Sequence, residues 1–346
     1  MSRFLQIHLL TPYHPSNLNR DDLGRPKTAI MGGAQRLRVS SQSLKRAWRT
    51  SELFQEALAG RLGARTKEQG EKVMKALLEK GVPEKKAAKW AEAVAGVFGK
   101  NKKDNPLHIE QLAHFGPEEK AAIAALVDKL AESGEPPSEE DLALLRRPES
   151  AVDIAMFGRM LASRPEYNVE AAVQVAHAIT VNQAVVEDDF FTAVDDLNEG
   201  LEDVGAGHMG ETEFGAGVFY LYLCVDCALL LKNLGNDASL AARARAALLE
   251  AAAKVSPTGK QNSFASRAYA QYILLERGDQ QPRSLAVAFL EPVKGADHLS
   301  LAVGKLSDAK DKMDKAYGPL AEARAAMDVL GGEGSLAELL AFVGEC

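Results

Sequence analysis

The spacing of apolar residues separates this chain of 346 residues into two kinds of segment. Residues 4–10 alternate leucine and isoleucine with polar side chains, and 217–225 form a short apolar and aromatic run, so both segments are predicted strands. Residues 60–150 are instead rich in Ala, Glu and Lys, which indicates several amphipathic helices. The predicted helix starts in this stretch are Thr66, Pro83, Pro117 and Ser138. The sheet must therefore form from strands that a long helical segment separates.

The order of the other elements predicts the fold class. Helices are expected at 42–58 and 238–254, and further strands are expected at 36–39, 151–157, 171–183 and 269–277. Stripped of insertions, the order is strand, helix, strand, strand, helix, strand. This is the split βαβ, or ferredoxin-like, plan that RNA-recognition modules also use. We predict an α+β fold in which residues 1–59 and 151–346 form one domain and 60–150 form an inserted helical domain.

Charge is distributed unevenly along the chain. With 46% hydrophobic and 26% charged residues, the chain can bury a sizeable core and is not a disordered protein. The net charge of −7 by itself argues against a nucleic-acid binder. Residues 1–50, however, carry a local balance of +7, and residues 151–226 carry −12. This asymmetry is the first indication that the N-terminal region binds an anionic partner.

The start of the predicted helix 42–58 concentrates donors that suit phosphate oxygens. It is rich in Ser and Gln, and none of its donors reads base identity. An ordinary solvated helix face is the alternative, but the density of cations and the scarcity of acids in residues 1–50 favour phosphate binding. The cations are Arg36, Arg38, Lys45, Arg46 and Arg49.

Two acidic segments admit more than one interpretation. Asp21 and Asp22 form a pair of the kind that binds Mg²⁺, or a turn in which one carboxylate caps backbone and pairs with Arg20 or Arg25; we favour the turn. In 187–196, Phe190 and Phe191 either meet nucleobases or form the core of an acidic hairpin. The acids of this segment, Asp195 and Asp196 among them, can also face the basic region of a neighbouring copy, which favours head-to-tail assembly.

Other polar motifs carry weaker signals. The lone CxxC of Cys224 and Cys227 ends an apolar strand, so we expect buried thiols. The segment 256–261 resembles a phosphate loop but lacks its first Gly and its Ser/Thr, which leaves Lys260 as a candidate phosphate contact. The seven histidines form no metal-spaced pair, and His177 is expected in the core. We therefore predict no metal and no cofactor.

The chain is expected to be cytoplasmic. Its first residues contain no long apolar segment typical of a signal peptide, and no apolar stretch is long enough to span a bilayer. Three cysteines cannot form a disulfide framework. We expect no membrane partner.

A series of ordered motifs resembles the backbone (CasC-type) subunit of the type I-E CRISPR Cascade surveillance complex. The resemblance covers nearly the whole chain and is weakest over 60–150 and at the C-terminus. The motifs that carry it are Asn17-Leu18-Asn19-Arg20-Asp21-Asp22, Gly32-Gly33, Arg38-Val39-Ser40-Ser41-Gln42-Ser43-Leu44-Lys45-Arg46-Ala47, Val152-Asp153-Ile154-Ala155, Gly158-Arg159-Met160, Ala176-His177-Ala178-Ile179-Thr180, Phe191-Thr192-Ala193-Val194-Asp195-Asp196-Leu197 and Phe214 with Gly217-Val218-Phe219-Tyr220.

The resemblance implies an RNA-recognition-like palm, a helical fingers insertion and a β-hairpin thumb at about 184–216. It implies RNA-binding in antiviral defence: copies stack head to tail in a hexamer-like filament along a CRISPR RNA (crRNA) and present its bases to a target DNA strand. The other implied partners are the large subunit, the small subunit, the handle-capping subunit and the guide-processing endonuclease of Cascade.

The resemblance also assigns individual residues. Those implied to bind guide phosphates are Arg20, Lys27, Ser40, Gln42, Lys45, Arg46 and Arg49, to which we add Arg38, Arg159 and Lys260. Met160 and the thumb residues Phe190, Phe191 and Thr192 are implied to wedge into the strand and flip out a nucleotide at regular intervals.

Three departures from the family pattern qualify these roles. Phe190 stands where a Trp is expected, and 132–141 is acidic where the fingers are expected to carry lysines. Other fingers lysines can replace that patch: Lys85, Lys86, Lys89, Lys100, Lys102 or Lys103. The run 217–220 lacks the basic-Gly-aromatic opening of RNA-recognition modules, so phosphate and wedge contacts are expected in place of base stacking on the sheet.

The resemblance thus implies a non-catalytic subunit that binds guide RNA, in agreement with the predicted phosphate contacts at the start of the helix 42–58. The alternative is a metal-dependent ribonuclease backbone subunit that cuts target RNA with a loop aspartate, Asp21 or Asp22.

Overall fold

Eleven strands and eleven α-helices lie in residues 2–147, 149–193 and 208–345, which the computed structural model describes. The strands are β1 (Phe4–Ser16), β2 (Thr28–Met31), β3 (Ala34–Val39), β4 (Ala64–Thr66), β5 (Ala113–Phe115), β6 (Val173–Val175), β7 (Ala178–Thr180), β8 (Glu187–Ala193), β9 (His208–Asp226), β10 (Tyr272–Gly278) and β11 (Ala323–Asp328). The helices are α1 (Ser41–Arg49), α2 (Glu52–Ala57), α3 (Gln69–Glu79), α4 (Glu84–Phe98), α5 (Pro117–Ser133), α6 (Val152–Phe157), α7 (Cys227–Asn233), α8 (Ala238–Lys254), α9 (Gln261–Phe264), α10 (His298–Tyr317) and α11 (Leu336–Gly344). Pro165–Tyr167 and Ala286–Phe289 form short 3₁₀ turns.

The main sheet is mainly antiparallel, and its strands do not lie in the order in which they occur in the chain. Its strands follow the order β11-β10-β1-β9-β7-β3-β2, and β6 and β8 also pair with β9. Strand β1 pairs antiparallel with β10 along Phe4–Leu10, and β7 pairs antiparallel with β9. In the chain, α1 precedes β7 and α8 precedes β10. The predicted α+β class is confirmed.

Helices cover one face of this sheet. Leu44 and Trp48 of α1 are buried and line a small cavity with Phe219 and Leu221 of β9. Val255, just after α8, lines the same cavity. Since alternate residues of a strand point to opposite faces, Tyr220 must lie on the other face.

That second face is covered by the segment that follows β10. Tyr220 and Leu274 pack in one buried cluster with Leu285, Phe289 and Leu306. Tyr220 is only 2% exposed, so its ring has no free face for a base. The sheet is therefore the middle layer between α1 and α8 on one side and residues 285–306 on the other.

A buried polar network lies on the second face. His8 hydrogen-bonds with the Tyr220 hydroxyl (2.9 Å) and with the Glu276 carboxylate (3.2 Å). Arg324 donates to Glu276 over 2.7 Å, and Arg283 donates to the same carboxylate. Burial lowers the pKa of His8 despite the raising effect of Glu276. Burial would raise the pKa of Glu276, but its bonds from His8 and Arg283 hold that pKa well below the usual range. The network joins β1, β9, β10 and β11.

The chain divides into two compact units. The first consists of Met1–Phe54, Val175–Cys224 and Arg245–Cys346, and the second of Gln55–Gln174 and Val225–Ala244. The core of the second unit is largely helical and contains Trp90, Phe98 and Phe115. A two-stranded sheet of β4 and β5 completes it. The predicted helical insertion 60–150 lies in this second unit.

Several local predictions are wrong. Residues 151–157, predicted as a strand, contain α6. Val152, Ile154 and Met156 alternate with Asp153 and Ala155 as in a strand, but all five residues are buried in a helix. Its Asp153 accepts hydrogen bonds from the Gly63 N–H and from His114, both over 2.8 Å. The predicted helix 42–58 is two helices, because Ser51 bonds the Trp48 carbonyl and caps the next helix.

The sequence also misplaces elements near turns. Ser138 and Asp141 make the expected capping bonds, but no helix begins at Ser138, and the next helix in the described residues is α6. The predicted strand 171–183 is two short strands, β6 and β7. Strand β2 lies between the predicted strands 4–10 and 36–39, where no strand is predicted, and Gly32 and Gly33 form the turn into β3. Among the residues that the structure describes, none of the helices has the length and apolar character that a bilayer crossing requires.

Candidate nucleic-acid interface

The start of α1 is fixed by side chains from three segments. Ser40 is the N-cap, and its hydroxyl accepts the Ser43 N–H over 3.3 Å. Asn19 Oδ1 accepts the Ser40 N–H, and His177 Nδ1 accepts the Ser41 N–H, both over 2.9 Å. The loop after β1, the end of β3 and the segment before β7 therefore meet at one helix end.

Cations surround this helix end. Lys27 and Arg38 line one small cavity with Asn19, and Arg38 lies opposite Ile179, two residues after His177. Burial lowers the pKa of His177, and the charges of Arg38 and Lys27 lower it further. The Lys27 N–H donates to the Asn19 carbonyl over 2.8 Å, so the loop holds Lys27 in register with the cap. Lys27 and Arg38 are partly exposed, and His177 is exposed. We call Lys27, Arg38, Ser40 and His177 the basic patch.

His177 corrects the sequence interpretation. Its flanking alanines predicted a core histidine, but its ring lies on the surface and binds a backbone donor 136 residues away. A local pattern cannot reveal a partner that distant. The ring lies in the short break between β6 and β7, which the sequence did not signal because 171–183 was expected to be one strand. With Nδ1 accepting the Ser41 N–H, a neutral ring presents Nε2 as a donor.

The polar side chains of helix α1 differ in how exposed they are. Gln42 and Arg46 are exposed, whereas Lys45 and Arg49 are partly buried. Burial lowers the pKa of the Lys45 ammonium group. All four residues lie outside the apolar face that packs into the core. The helix thus continues the basic patch outward from its N-cap.

The loop after β1 has a structural use for its acids. Asp21 Oδ1 accepts the N–H groups of Leu23 and Arg25, both over 2.9 Å, which confirms the predicted backbone cap. The predicted ion pair with Arg20 or Arg25 is absent from the described residues, and Arg25 Nε pairs with Glu213 over 3.1 Å. Arg20 is exposed and bridges to Pro26 through backbone.

Two predicted nucleic-acid cations are buried instead. Arg36, which the sequence places among the phosphate donors, is 0% exposed and donates to the carbonyls of Thr180, Val181, Phe289 and Leu290. A guanidinium used in this way has no access to phosphate. It joins β3 to the end of β7 and to the segment that follows β10.

Arg159, predicted to bind RNA, lies inside the second unit. Its guanidinium pairs with Glu119 over 2.8 Å, and neither side chain is more than 1% exposed. Arg159 also donates to the carbonyls of Arg146 and Tyr167. Its neighbour Met160 is 76% exposed and borders a cleft formed by residues 98–100, 110–113 and 160–163. The predicted wedge residue is thus exposed, and the predicted phosphate ligand beside it is structural.

The hairpin of β8 and β9 carries the predicted thumb aromatics. Phe190 is 66% exposed and lies opposite Glu211. Phe191 is 43% exposed and lies over Gly210, where an added Cβ would come within 2.3 Å of its ring. Thr192 is also exposed. Of the two aromatic rings, Phe190 is therefore the more available. Asp195 and Asp196 lie outside the described residues.

The weaker motifs have structural roles in this chain. Lys260 donates to the Thr212 hydroxyl over 2.8 Å, which joins its loop to β9. Cys224 and Cys227 are buried, as predicted.

In the second unit, Lys85, Lys86, Lys89, Lys100 and Lys103 are exposed and Lys102 is partly exposed. Among them, Lys100 pairs with Glu110 over 2.8 Å.

Comparison with known proteins gives two kinds of match. The family model for the CT1975-like protein (Cas_CT1975) matches residues 5–337. A chain of a "CRISPR RNA-guided surveillance complex, pre-nicking" has 31% identity and a TM-score of 0.86, with 99% of each chain covered. A chain of a "CRISPR RNA-guided surveillance complex" has 26% identity and a TM-score of 0.75, with 99% of this chain and 100% of that chain covered. No curated protein matches the sequence significantly.

Proposed function

We propose that this chain, which belongs to the CT1975-like protein family (Cas_CT1975), is a non-catalytic backbone subunit of a CRISPR RNA-guided surveillance complex. In this role it binds the guide RNA along its phosphates and presents the bases for pairing with a target DNA strand. Its partners are the guide, the target, neighbouring copies in a head-to-tail, hexamer-like filament and the other Cascade subunits. Its place of action is the cytoplasm.

The basic patch is the observation that carries the proposal. Lys27 and Arg38 line one cavity with Asn19, which caps the start of α1 together with the exposed imidazole of His177, and Gln42 and Arg46 are exposed on the first turns of that helix. Cations and neutral donors at a helix start bind phosphate oxygens without reading base identity. A subunit that must accept any guide sequence needs this kind of contact.

The sheet supports backbone binding in a second way. The order β10-β1-β9-β7, with α1 and α8 on one face, fits the RNA-recognition or ferredoxin-like palm that we propose. RNA-recognition modules stack bases on the opposite face of such a sheet. Here that face holds buried Tyr220 under residues 285–306. Base stacking on the sheet is therefore replaced by phosphate contacts and by the exposed side chains of Phe190 and Met160 as wedges.

The absence of catalysis is part of the proposal. In related ribonucleases a loop aspartate is expected to hold the metal, and Asp21 or Asp22 would be that residue. The Asp21 carboxylate already accepts two backbone N–H groups of its own turn. Matched target RNA incubated with the assembled protein and Mg²⁺ should stay intact. Specific cleavage that disappears in Asp22→Ala or Asp21→Ala would establish the ribonuclease instead.

RNA binding is tested by co-purification and by salt dependence. The purified chain should carry discrete RNA of CRISPR-repeat origin, and its affinity for that RNA should fall steeply with salt. The double variant Lys27→Ala/Arg38→Ala should weaken binding of all guide sequences equally. Lys312→Ala, which removes an exposed lysine from α10, is the matched control and should bind as the wild type does. Purification without RNA, or equal binding by the patch variant and the control, would contradict the proposal.

A further inference from the structure

Lys260 holds the base of the thumb hairpin. Its ammonium group donates to the Thr212 hydroxyl over 2.8 Å. Thr212 lies opposite Asp189 in the pairing of β8 with β9, one residue before Phe190 and two before Phe191 in the facing strand. The loop that contains Lys260 therefore contacts the hairpin just below the aromatic residues that the hairpin presents.

The backbone of this loop is set for that contact. Lys260 has φ +46° and ψ +36°, a left-handed conformation that a residue with a Cβ rarely adopts. Gly259 before it packs so closely on the loop after β1 that an added Cβ would lie 2.3 Å from the Leu18 carbonyl oxygen. A glycine at position 260 would take the left-handed conformation without strain. Lys260 keeps its side chain on this left-handed backbone, as Ala265 does in the same loop, and the lysine side chain reaches Thr212.

Other contacts hold the same stretch of β9 from both faces. On the face of Thr212, the ring of Phe264 lies 6.0 Å from the ring of Phe214. On the opposite face, Arg25 pairs with Glu213 over 3.1 Å. Asn17 Nδ2 donates to the Glu213 carbonyl over 2.9 Å. Two loops thus grip residues 212–214, while Phe190 beyond them is 66% exposed.

We propose that Lys260 is a positioning residue of the thumb: through Thr212 it fixes the direction of the β8–β9 hairpin and thereby where Phe190 is presented. This assigns to Lys260 a role other than the phosphate contact that its loop sequence suggests. The inference rests on the proposed function for what Phe190 meets, but the link between Lys260 and the hairpin holds without RNA.

The direct test measures the hairpin in RNA-free protein. Spin labels at Thr192→Cys and Lys312→Cys, in a chain with Cys346→Ser, report the distance between the thumb and α10 by pulsed electron resonance. Lys260→Met and Thr212→Val should each broaden the distance distribution, and the double variant should be no broader than either single variant. Lys254→Met, which removes a nearby ammonium group paired with Glu250, is the control and should match the wild type. A Lys260→Met distribution equal to that of the control would overturn the proposal.

A second measurement separates positioning from phosphate binding. Lys260→Met should lower affinity for guide RNA several-fold without changing the slope of log Kd against log salt. A slope reduced by about one unit would mean that Lys260 contacts a phosphate, and would overturn the positioning role. If the wild type binds no RNA, the proposed function fails while the label distances still decide the role of Lys260.

The variant Lys260→Gly separates an effect on stability from an effect on the direction of the hairpin. Lys260→Gly relieves the left-handed backbone, so its Tm should stay near that of the wild type while the distance distribution broadens. A fall in Tm with an unbroadened distribution would assign Lys260 to folding alone and overturn the proposal. If Lys260→Met does not fold, Thr212→Val and Lys260→Gly carry the test.

Discussion

Arg36 and Arg38 lie two residues apart on β3 and point to the same face of the sheet, yet they have different surroundings. Arg36 lies under the segment that follows β10 and donates to four backbone carbonyls. Arg38 is partly exposed, lies opposite Ile179 of β7 and precedes the N-cap Ser40 of α1 by two residues. The comparison teaches that the covering segment, and not the charge run, decides which cations can meet a phosphate.

The second unit also contains a buried arginine, Arg159, and its substitution is expected to have the largest effect on stability. Arg159→Met would leave the Glu119 carboxylate buried without its partner, at a cost of about 3–5 kcal/mol in the free energy of unfolding. Urea denaturation of Arg159→Met and of the exposed control Arg164→Met measures the difference. Arg159→Met/Glu119→Gln should recover part of the stability, because it removes both charges and the amide oxygen of the glutamine can still accept the Gly116 N–H. Equal stability of the two arginine variants would place Arg159 back among the available cations.

Arg36 and Arg38 should separate stability from binding. Arg36→Met removes the donor from several buried carbonyls and should lower the free energy of unfolding by about 3 kcal/mol. Arg38→Met, at a partly exposed position, should lower it by less than about 0.5 kcal/mol. Thermal or urea unfolding of the two variants side by side gives the answer. Similar decreases would show that both side chains are structural.

Arg36 and Arg38 also show which features the sequence alone can predict: it identifies the strand and its charges, but not which charge is buried. The alternation in residues 4–10 predicted β1, the apolar run 217–225 predicted the second half of β9, and helices were expected where α1 and α8 lie, although both faces of the central strands are covered. Helix α6 was missed because it is buried on all sides. The exposed Phe190 and Met160 could be selected from motifs. Arg36 and Arg159 could not be rejected, because their cover comes from segments distant in sequence.

The basic patch should show its effect in binding and not in stability. Lys27→Ala/Arg38→Ala should reduce the slope of log K against log salt by about one unit for each phosphate that the patch no longer neutralises. At low salt the affinity should fall about tenfold, which corresponds to about 1.4 kcal/mol. Filter binding with two unrelated guide sequences measures both quantities. A weakening confined to one guide would mean that the patch reads bases, and an unchanged slope would remove phosphate from its role.

The smallest expected effect is on the pH dependence of stability, and it compares the buried His8 with the exposed His177. Folded His8 has a lowered pKa because it is buried, so the unfolded chain binds a proton near pH 6.5 that the folded chain does not. Stability should therefore fall as the pH falls below about 6.5, by at most about 1.4 kcal/mol per pH unit. His8→Gln should flatten this dependence between pH 7.5 and 5.5 in urea titrations. His177→Gln should change it less, because solvent screens the exposed His177 ring from the charges of Arg38 and Lys27. A flatter curve for His177→Gln than for His8→Gln would reverse the assignment of covered and uncovered groups.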